Sequence, residues 1–158
     1  MIYSPSTALR LLGLLALVPA CAHNPKPEPV YRYINILDGT KLWLGQPFPR
    51  RGIATQLDDT TFKLRSSSFS GGGTTSIVAH LDSAGILRSL TFSYSSQESL
   101  AGKVEFYTTH LGKPAMHQSA EDGSQLYLWQ DDSTSFSLHY DPGRTPPLWS
   151  LMEDRHGS

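Results

Sequence analysis

The fold is decided by residues 77–94, which read IVAHLDSAGILRSLTFSY. Apolar side chains recur at every second position in 77–81, and the pattern returns after Asp82-Ser83-Ala84-Gly85, a turn with glycine at its left-handed position. A period of two is typical of a strand with one buried face. The segment therefore predicts an antiparallel hairpin whose second strand puts Ile86, Leu90, Phe92 and Tyr94 on one face, and Leu87, Ser89, Thr91 and Ser93 on the other.

A second hairpin is predicted from residues 126–130, a turn at 131–133 and a strand at 135–140. Tyr127 and Trp129 alternate with leucines at 126 and 128, so the first of these strands is apolar on both faces. Such a strand is either covered on both sides or has one face that meets a partner. Further strands are predicted at 31–36, 42–44 and 61–65, from their content of β-branched and aromatic residues.

One helix is predicted after the first hairpin. Ser95 and Glu98 have the spacing of a capping box, in which each side chain satisfies a backbone N–H of the first turn. Apolar residues then recur with helical spacing at 100, 104, 107 and 111, and Gly112 and Pro114 end the helix. A second helix at 47–57 is left open, since Pro49 and Gly52 weaken it.

The order of these elements predicts an α+β fold, an antiparallel sheet of hairpins with one or two helices packed on one face. The tetrapeptide LGKP at 111–114 precedes the second hairpin, and the similar LGQP at 44–47 precedes the first. Two tandem α-ββ units are therefore a further interpretation. Over roughly residues 42–140, this layout resembles the small modules related to the outer-membrane-assembly lipoprotein BamE and to β-lactamase inhibitory protein, a resemblance that implies the same α+β architecture.

The N-terminal residues have the features of a secretory leader. Residues 11–20, LLGLLALVPA, follow the only charged side chain of the first ten and are too few to span a bilayer as a helix. The segment Val18-Pro19-Ala20-Cys21 resembles the bacterial lipoprotein signal. The resemblance implies cleavage before Cys21, a diacylglyceryl group on its sulfur and, with Ala22 next, an outer-membrane anchor that faces the periplasm. The alternatives are an ordinary leader cleaved after Ala22, and a buried structural cysteine.

These features divide the chain into four parts. Residues 1–20 are the predicted signal peptide, and 21–29 are the lipidated cysteine with a tether whose alternate prolines favour an extended conformation. Residues 30–153 are expected to form a single α+β domain, followed by a loose C-terminus at 154–158.

Composition excludes several classes of function. The net charge of −1 and the lack of a basic stripe argue against a nucleic-acid partner. With one cysteine in the chain, an internal disulfide and a multi-cysteine metal site are both excluded. No cofactor motif is found in the sequence, so none is expected.

Catalytic motifs are absent from the sequence too. Neither a Gly-x-Ser-x-Gly elbow in its proper context nor a phosphate-binding loop occurs, so an enzyme is not expected, with an unrecognised hydrolase as the alternative. His80 and His139 would both lie on the polar face of the sheet and could share a metal if their hairpins were neighbours. Because no third ligand can be named, exposed strand histidines are the preferred interpretation and no metal site is assigned.

The loop SSSFSGGGTT at 66–75 is the candidate for partner binding. Adjacent glycines lose much conformational entropy on ordering, which favours a role in mobility or close backbone approach. The candidate residues are Phe69, Gly71, Gly72 and Gly73, and the alternative is a simple connector.

Together these features predict a lipid-anchored periplasmic lipoprotein that binds another protein. The sharper hypothesis is an inhibitor or immunity protein that neutralises a toxin or enzyme acting on the envelope. The alternative is an accessory subunit of an outer-membrane assembly or secretion machine.

Overall fold

The computed structural model describes residues 30–36, 39–50, 52–65 and 73–157. Eight strands form one antiparallel sheet in the order β3-β4-β5-β6-β10-β9-β8-β7, and β1 and β2 form a separate hairpin. The elements are β1 (Tyr33–Asn35), β2 (Lys41–Trp43), β3 (Ala54–Gln56), β4 (Thr61–Leu64), β5 (Thr74–Leu81), β6 (Leu87–Tyr94), α1 (Leu100–Leu111), β7 (Met116–Ser119), β8 (Gln125–Gln130), β9 (Thr134–Tyr140), β10 (Leu148–Asp154) and a 3-10 turn (Arg155–Gly157).

The predicted α+β class, with its option of two tandem α-ββ units, is wrong. The described chain is mostly β, with ten strands and one α-helix. A second helix was left open within 47–57. In this segment Pro47 forms a bridge with Ile86, and Ala54–Gln56 forms the edge strand β3. Proline at 47 and 49 and a left-handed Gly52 (φ +83°) are incompatible with a continuous helix there.

The hairpin at 77–94 is confirmed as β5 and β6. Ile77, Ala79, Leu90 and Phe92 are all fully buried on the same face of the sheet. Leu87, which was expected on the opposite face, is also buried. The reason is a shift in register between His80 and Leu81, which makes Arg88 an extra residue in β6 and reverses the alternation before it.

The central strand β10 was not predicted. Leu148–Asp154 pairs with β6 on one side and with β9 on the other. Leu148, Ser150 and Met152 are almost completely buried on the core face. This strand therefore joins the two hairpins into one sheet.

Helix α1 begins four residues later than the capping box predicted. Ser99 is the N-cap, and its hydroxyl oxygen accepts the Gly102 N–H at 3.1 Å. Ser95 instead closes a turn, because its carbonyl accepts the Glu98 N–H at 3.1 Å. Gly112 ends the helix in the left-handed region (φ +78°), as the sequence predicted.

A buried polar network links α1 to the sheet. The Tyr94 hydroxyl lies 2.6 Å from the Tyr107 hydroxyl and 2.8 Å from Ser150 Oγ. Burial raises the pKa of Tyr94 to about 12 and raises the pKa of Tyr107 further. Lys103 is also buried, with its ammonium 3.3 Å from the Glu98 carboxylate and 4.8 Å from the Tyr94 ring centroid. The network connects α1, β6 and β10, and the two phenols remain neutral at physiological pH.

The antiparallel strands give the sheet two distinct ends. At the Val30 end, the Val30 N–H donates to Asp131 in the β8–β9 turn at 2.9 Å, and Arg88 bridges Asp82 and Asp154. The opposite end is called the Gly73 end. Strands β5 and β10 begin there, and strands β6 and β9 finish there. The chain therefore enters the described domain at one end of the sheet.

Truncating Met152 to alanine should lower the free energy of unfolding by about 2–5 kcal/mol, because the side chain is completely buried at the centre of the sheet. Met116→Ala on the half-buried edge strand β7 is the matched control and should cost clearly less. Urea unfolding of the two variants measures the difference. Equal losses would contradict the central position of β10.

Candidate functional site

The eight-stranded sheet has two unlike faces. The face towards α1, the helix face, carries the buried apolar residues of β5, β6, β9 and β10. The opposite face, here the open face, is half-buried and mixes apolar with polar side chains. Strand pairing places on its β8–β9–β10 part the residues Leu126, Leu128, Ser137, His139, Trp149 and Leu151. The double apolar pattern of β8 thus reflects a core face and an open face.

An aromatic stack stands on the open face at the Gly73 end. Trp149 and His139 are direct cross-strand partners, and their rings lie parallel with centroids 3.8 Å apart. The Arg144 guanidinium lies 4.8 Å from the Trp149 centroid, so Trp149 contacts His139 and a cation. Ser137 Oγ lies 2.8 Å from His139 Nε2 and holds the imidazole in this orientation. Trp149, His139 and Arg144 thus form an aromatic and cationic cluster.

A cleft of about 570 Å³ opens beside this stack. Its floor comes from β7 to β10, and its rim from the 120–124 turn and the loop that begins at Asp141. The Asp141 carboxylate shapes that loop by accepting the Gly143 N–H at 2.8 Å. Residues that line the cleft are Gln118, Ser119, Ala120, Ser124, Gln125, Leu126, His139, Tyr140, Asp141, Arg144 and Trp149. The cleft therefore has an aromatic floor, surrounded by amide and hydroxyl groups, one acidic residue and one basic residue.

The environment of His139 favours its neutral form. Burial lowers the pKa of His139, and the nearby Arg144 cation lowers it further. A neutral imidazole has an acceptor nitrogen for the Ser137 hydroxyl. At neutral pH the cleft therefore presents Arg144 as its cation and His139 as a polar aromatic surface.

Of the predicted site residues, Cys21, Phe69, Gly71 and Gly72 lie outside the described residues. Gly73 directly precedes β5 with φ +65°, and a Cβ there would lie 1.7 Å from Glu98 Oε1. A glycine is thus required by local geometry. Arg65 and Gly73, which flank residues 66–72, lie at the same end of the sheet as the cleft.

The two histidines considered for a metal are not brought together. His80 is on β5, where its Nε2 lies 3.2 Å from Thr91 Oγ1, and His139 is on β9. Strands β6 and β10 lie between them, a separation of about 14 Å from strand spacing alone. A shared ion needs metal–nitrogen distances of about 2 Å. In the part of the chain that the structure describes, no group of three histidine, cysteine or acidic residues has the geometry to hold a metal.

Sequence reasoning missed the cleft residues themselves. The pairing of Trp149 with His139 depends on β10, which was not predicted. Arg144 reaches Trp149 from a loop, so no periodic signal marks it. The two-residue spacing of Ser137 and His139 in the predicted strand at 135–140 already places this pair on one face, but it carries no signal for Trp149 as their neighbour.

Comparison with known proteins gives no match to a family model, to a curated protein or to a solved structure. Within the described ranges, none of the helical segments has both the length and the apolar character needed to cross a membrane.

Gly73→Ala should destabilise the domain by more than the roughly 1–2 kcal/mol expected for a left-handed alanine, because Glu98 must also move. Gly52→Ala is the matched control, since Gly52 has φ +83° but nothing within 4 Å of a new Cβ. Urea unfolding of both variants tests this expectation. A Gly73 variant no less stable than the Gly52 variant would contradict the described contact.

Acidification from pH 7 to pH 5.5 should reduce stability through His139. Its pKa is below the ordinary 6.5 in the folded state, so the unfolded chain binds the proton first and gains population as the pH falls. His139→Gln should lose less stability over this interval than the wild-type protein. Unfolding midpoints at the two pH values provide the measurement, and an equal decline in both proteins would contradict the assignment.

Proposed function

We propose that this chain is a lipid-anchored periplasmic protein that binds another protein through the cleft beside Trp149. Within this class we favour an inhibitor or immunity protein that occupies the active site of an envelope-directed enzyme or toxin. The observation that carries the proposal is the position of the cleft, at the end of the sheet opposite to the end where Val30 enters the domain.

This arrangement suits a tethered binding protein. If lipid is attached at Cys21, the tether reaches the domain at Val30, which is bonded to the β8–β9 turn. The cleft lies at the other end of the same strands, and β10 alone extends over about 20 Å. The cleft would then face away from the bilayer, where a partner in the periplasm can reach it.

The chemistry of the cleft fits a polypeptide better than a small charged substrate. Tryptophan, tyrosine and arginine are the residue types that contribute most to protein interfaces, and the cleft contains all three. Gln118, Gln125 and Ser124 supply donors and acceptors that match the peptide backbone. Asp141 and Arg144 balance each other, so the cleft has no net charge that would select an anion.

Rigidity supports the inhibitor hypothesis. The floor of the cleft is built on hydrogen-bonded strands, and the His139–Trp149 stack is fixed by Ser137. A surface that is ordered before binding loses little entropy on association, which favours high affinity from a small contact area. Arg65 and Gly73, which flank residues 66–72, both lie at this end of the sheet, so Phe69 and its neighbouring glycines stay the candidates for a second contact with the partner.

The test uses the full chain, expressed with an affinity tag in a bacterium that produces it naturally. A partner recovered with the wild-type protein should be lost, or bound at least tenfold more weakly, with Arg144→Ala and Trp149→Ala. Trp43→Ala is the matched control, because Trp43 is on the separate β1–β2 hairpin. Arg144 is exposed, so its replacement tests binding without removing a buried side chain.

Mass spectrometry of the mature chain tests the anchor separately. A lipid mass on Cys21 is expected, and an unmodified sulfur or a chain that starts at residue 23 would refute the lipoprotein assignment. Partner binding that is unaffected by both cleft variants would refute the role of the cleft. Recovery of membrane-assembly machinery in place of a soluble toxin or enzyme would refute the inhibitor hypothesis.

A further inference from the structure

Trp43 is unusually exposed for its residue type. Among the described residues, Trp43 (43% exposed) and Leu57 (56%) are the large hydrophobic side chains that remain open to solvent. Trp43 is the direct cross-strand partner of Tyr33 on the β1–β2 hairpin, and the two ring centroids are 4.5 Å apart. The Lys41 ammonium lies 4.9 Å from the Tyr33 centroid. We call these three side chains, Tyr33, Lys41 and Trp43, the hairpin patch.

The hairpin has a core side and an outer side. Ile34 and Leu42 are cross-strand partners and are almost completely buried, so they fix the hairpin to the domain. The hairpin patch is formed by the alternate residues and therefore faces outward. The exposed Trp43 and the half-buried Tyr33 form an aromatic patch on a rigid hairpin, and such a patch indicates a contact surface.

The position of the hairpin patch in the chain points to the occupant. Val30 is nine positions after Cys21, and a polyproline segment of this length spans about 28 Å. The hairpin begins three residues after Val30. With lipid on Cys21, β1 and β2 would be the first described elements beyond the bilayer surface.

The chemistry of the hairpin patch matches a lipid headgroup layer. Tryptophan and tyrosine concentrate at membrane interfaces because one part of each ring is apolar and another forms hydrogen bonds. Lysine places its methylenes along apolar surface while its ammonium reaches the phosphates. Residues 32–43 carry two cationic side chains, Arg32 and Lys41, and one acidic one, Asp38, a net charge of +1 in a chain whose net charge is −1. Anionic phospholipids therefore provide the complementary surface.

We infer that the hairpin patch lies on the anionic surface of the bilayer that holds the lipid anchor. This inference rests on the proposed anchor at Cys21. Together, the anchor and the patch fix the orientation of the domain at two points, so the cleft at the Gly73 end is held away from the membrane. A single flexible tether would leave that orientation free.

The test uses residues 21–158 with the cysteine at 21 coupled to a maleimide lipid. Because the chain has one cysteine, this reaction reproduces the anchored geometry whether or not the natural protein is lipidated. The vesicles contain phosphatidylethanolamine and phosphatidylglycerol, with brominated acyl chains as a short-range quencher of tryptophan emission. Trp129 is buried and Trp149 lies at the opposite end, so Trp43 is the tryptophan expected to respond.

Brominated vesicles should reduce the emission of the wild-type protein and leave that of Trp43→Tyr unchanged. Lys41→Glu should lose most of the quenching, whereas Lys63→Glu, an exposed lysine on β4, should retain it. Equal quenching of the wild-type and Trp43→Tyr proteins, or of the two lysine variants, would overturn the inference. Loss of a soluble partner in Trp43→Ala, together with no quenching of the wild-type protein, would also overturn it, in favour of a protein interface.

The two proposals fail in distinguishable ways. If the natural chain is not lipidated, mass spectrometry refutes the anchor, while the coupled protein still reports whether the hairpin patch contacts lipid. If the coupled protein shows no quenching, the orientation is refuted, while partner binding at the cleft is measured independently with Arg144→Ala.

Discussion

The backbone pairing of β10 with both β6 and β9 is the interaction on which the rest of the structure depends. Without this strand the sheet would be divided into two parts, β3-β4-β5-β6 and β9-β8-β7, in which β6 and β9 would each have an unpaired edge. Leu148–Asp154 satisfies both edges and buries Met152 and Ser150 between their neighbours. The same pairing brings the Tyr94 and Tyr107 hydroxyls to a common hydrogen-bonding centre. The last strand of the chain, β10, therefore completes the sheet and contributes residues to both its core face and its open face.

Strands β5, β6 and β9 could be predicted because one face of each is mostly apolar and the other mostly polar, and β8 could be predicted because a short turn at 131–133 joins it to β9. The pattern fails for β10, where Leu148 and Trp149 are adjacent, as are Leu151 and Met152. Both faces of this strand carry large apolar residues, since one meets the core and the other forms the open face. Period-two reasoning detects a contrast between faces, so a strand that lacks both this contrast and a short turn to a patterned neighbour is indistinguishable from an irregular segment.

The tetrapeptide LGxP shows the same limit for turns. Gly45 and Gly112 are both left-handed, with φ of +74° and +78°, so the tetrapeptide correctly marks the end of an element in both places. Only Gly112 ends a helix, whereas Gly45 follows β2 and donates its N–H to the Leu87 carbonyl. Local chemistry specifies the turn but not the element before it. The cleft could not be predicted for a related reason. Arg144 reaches the Trp149 ring from the loop that begins at Asp141, and the sequence pattern does not specify the path of that loop.

Asp131 holds the first described residue of the chain at the Val30 end of the sheet. Its carboxylate accepts the N–H groups of Val30, Ser133 and Thr134, so the first described residue of the chain is held by the β8–β9 turn. Burial raises the pKa of Asp131, but these hydrogen bonds outweigh burial and keep the pKa below its usual value. The carboxylate therefore stays ionised at neutral pH and keeps all three donors.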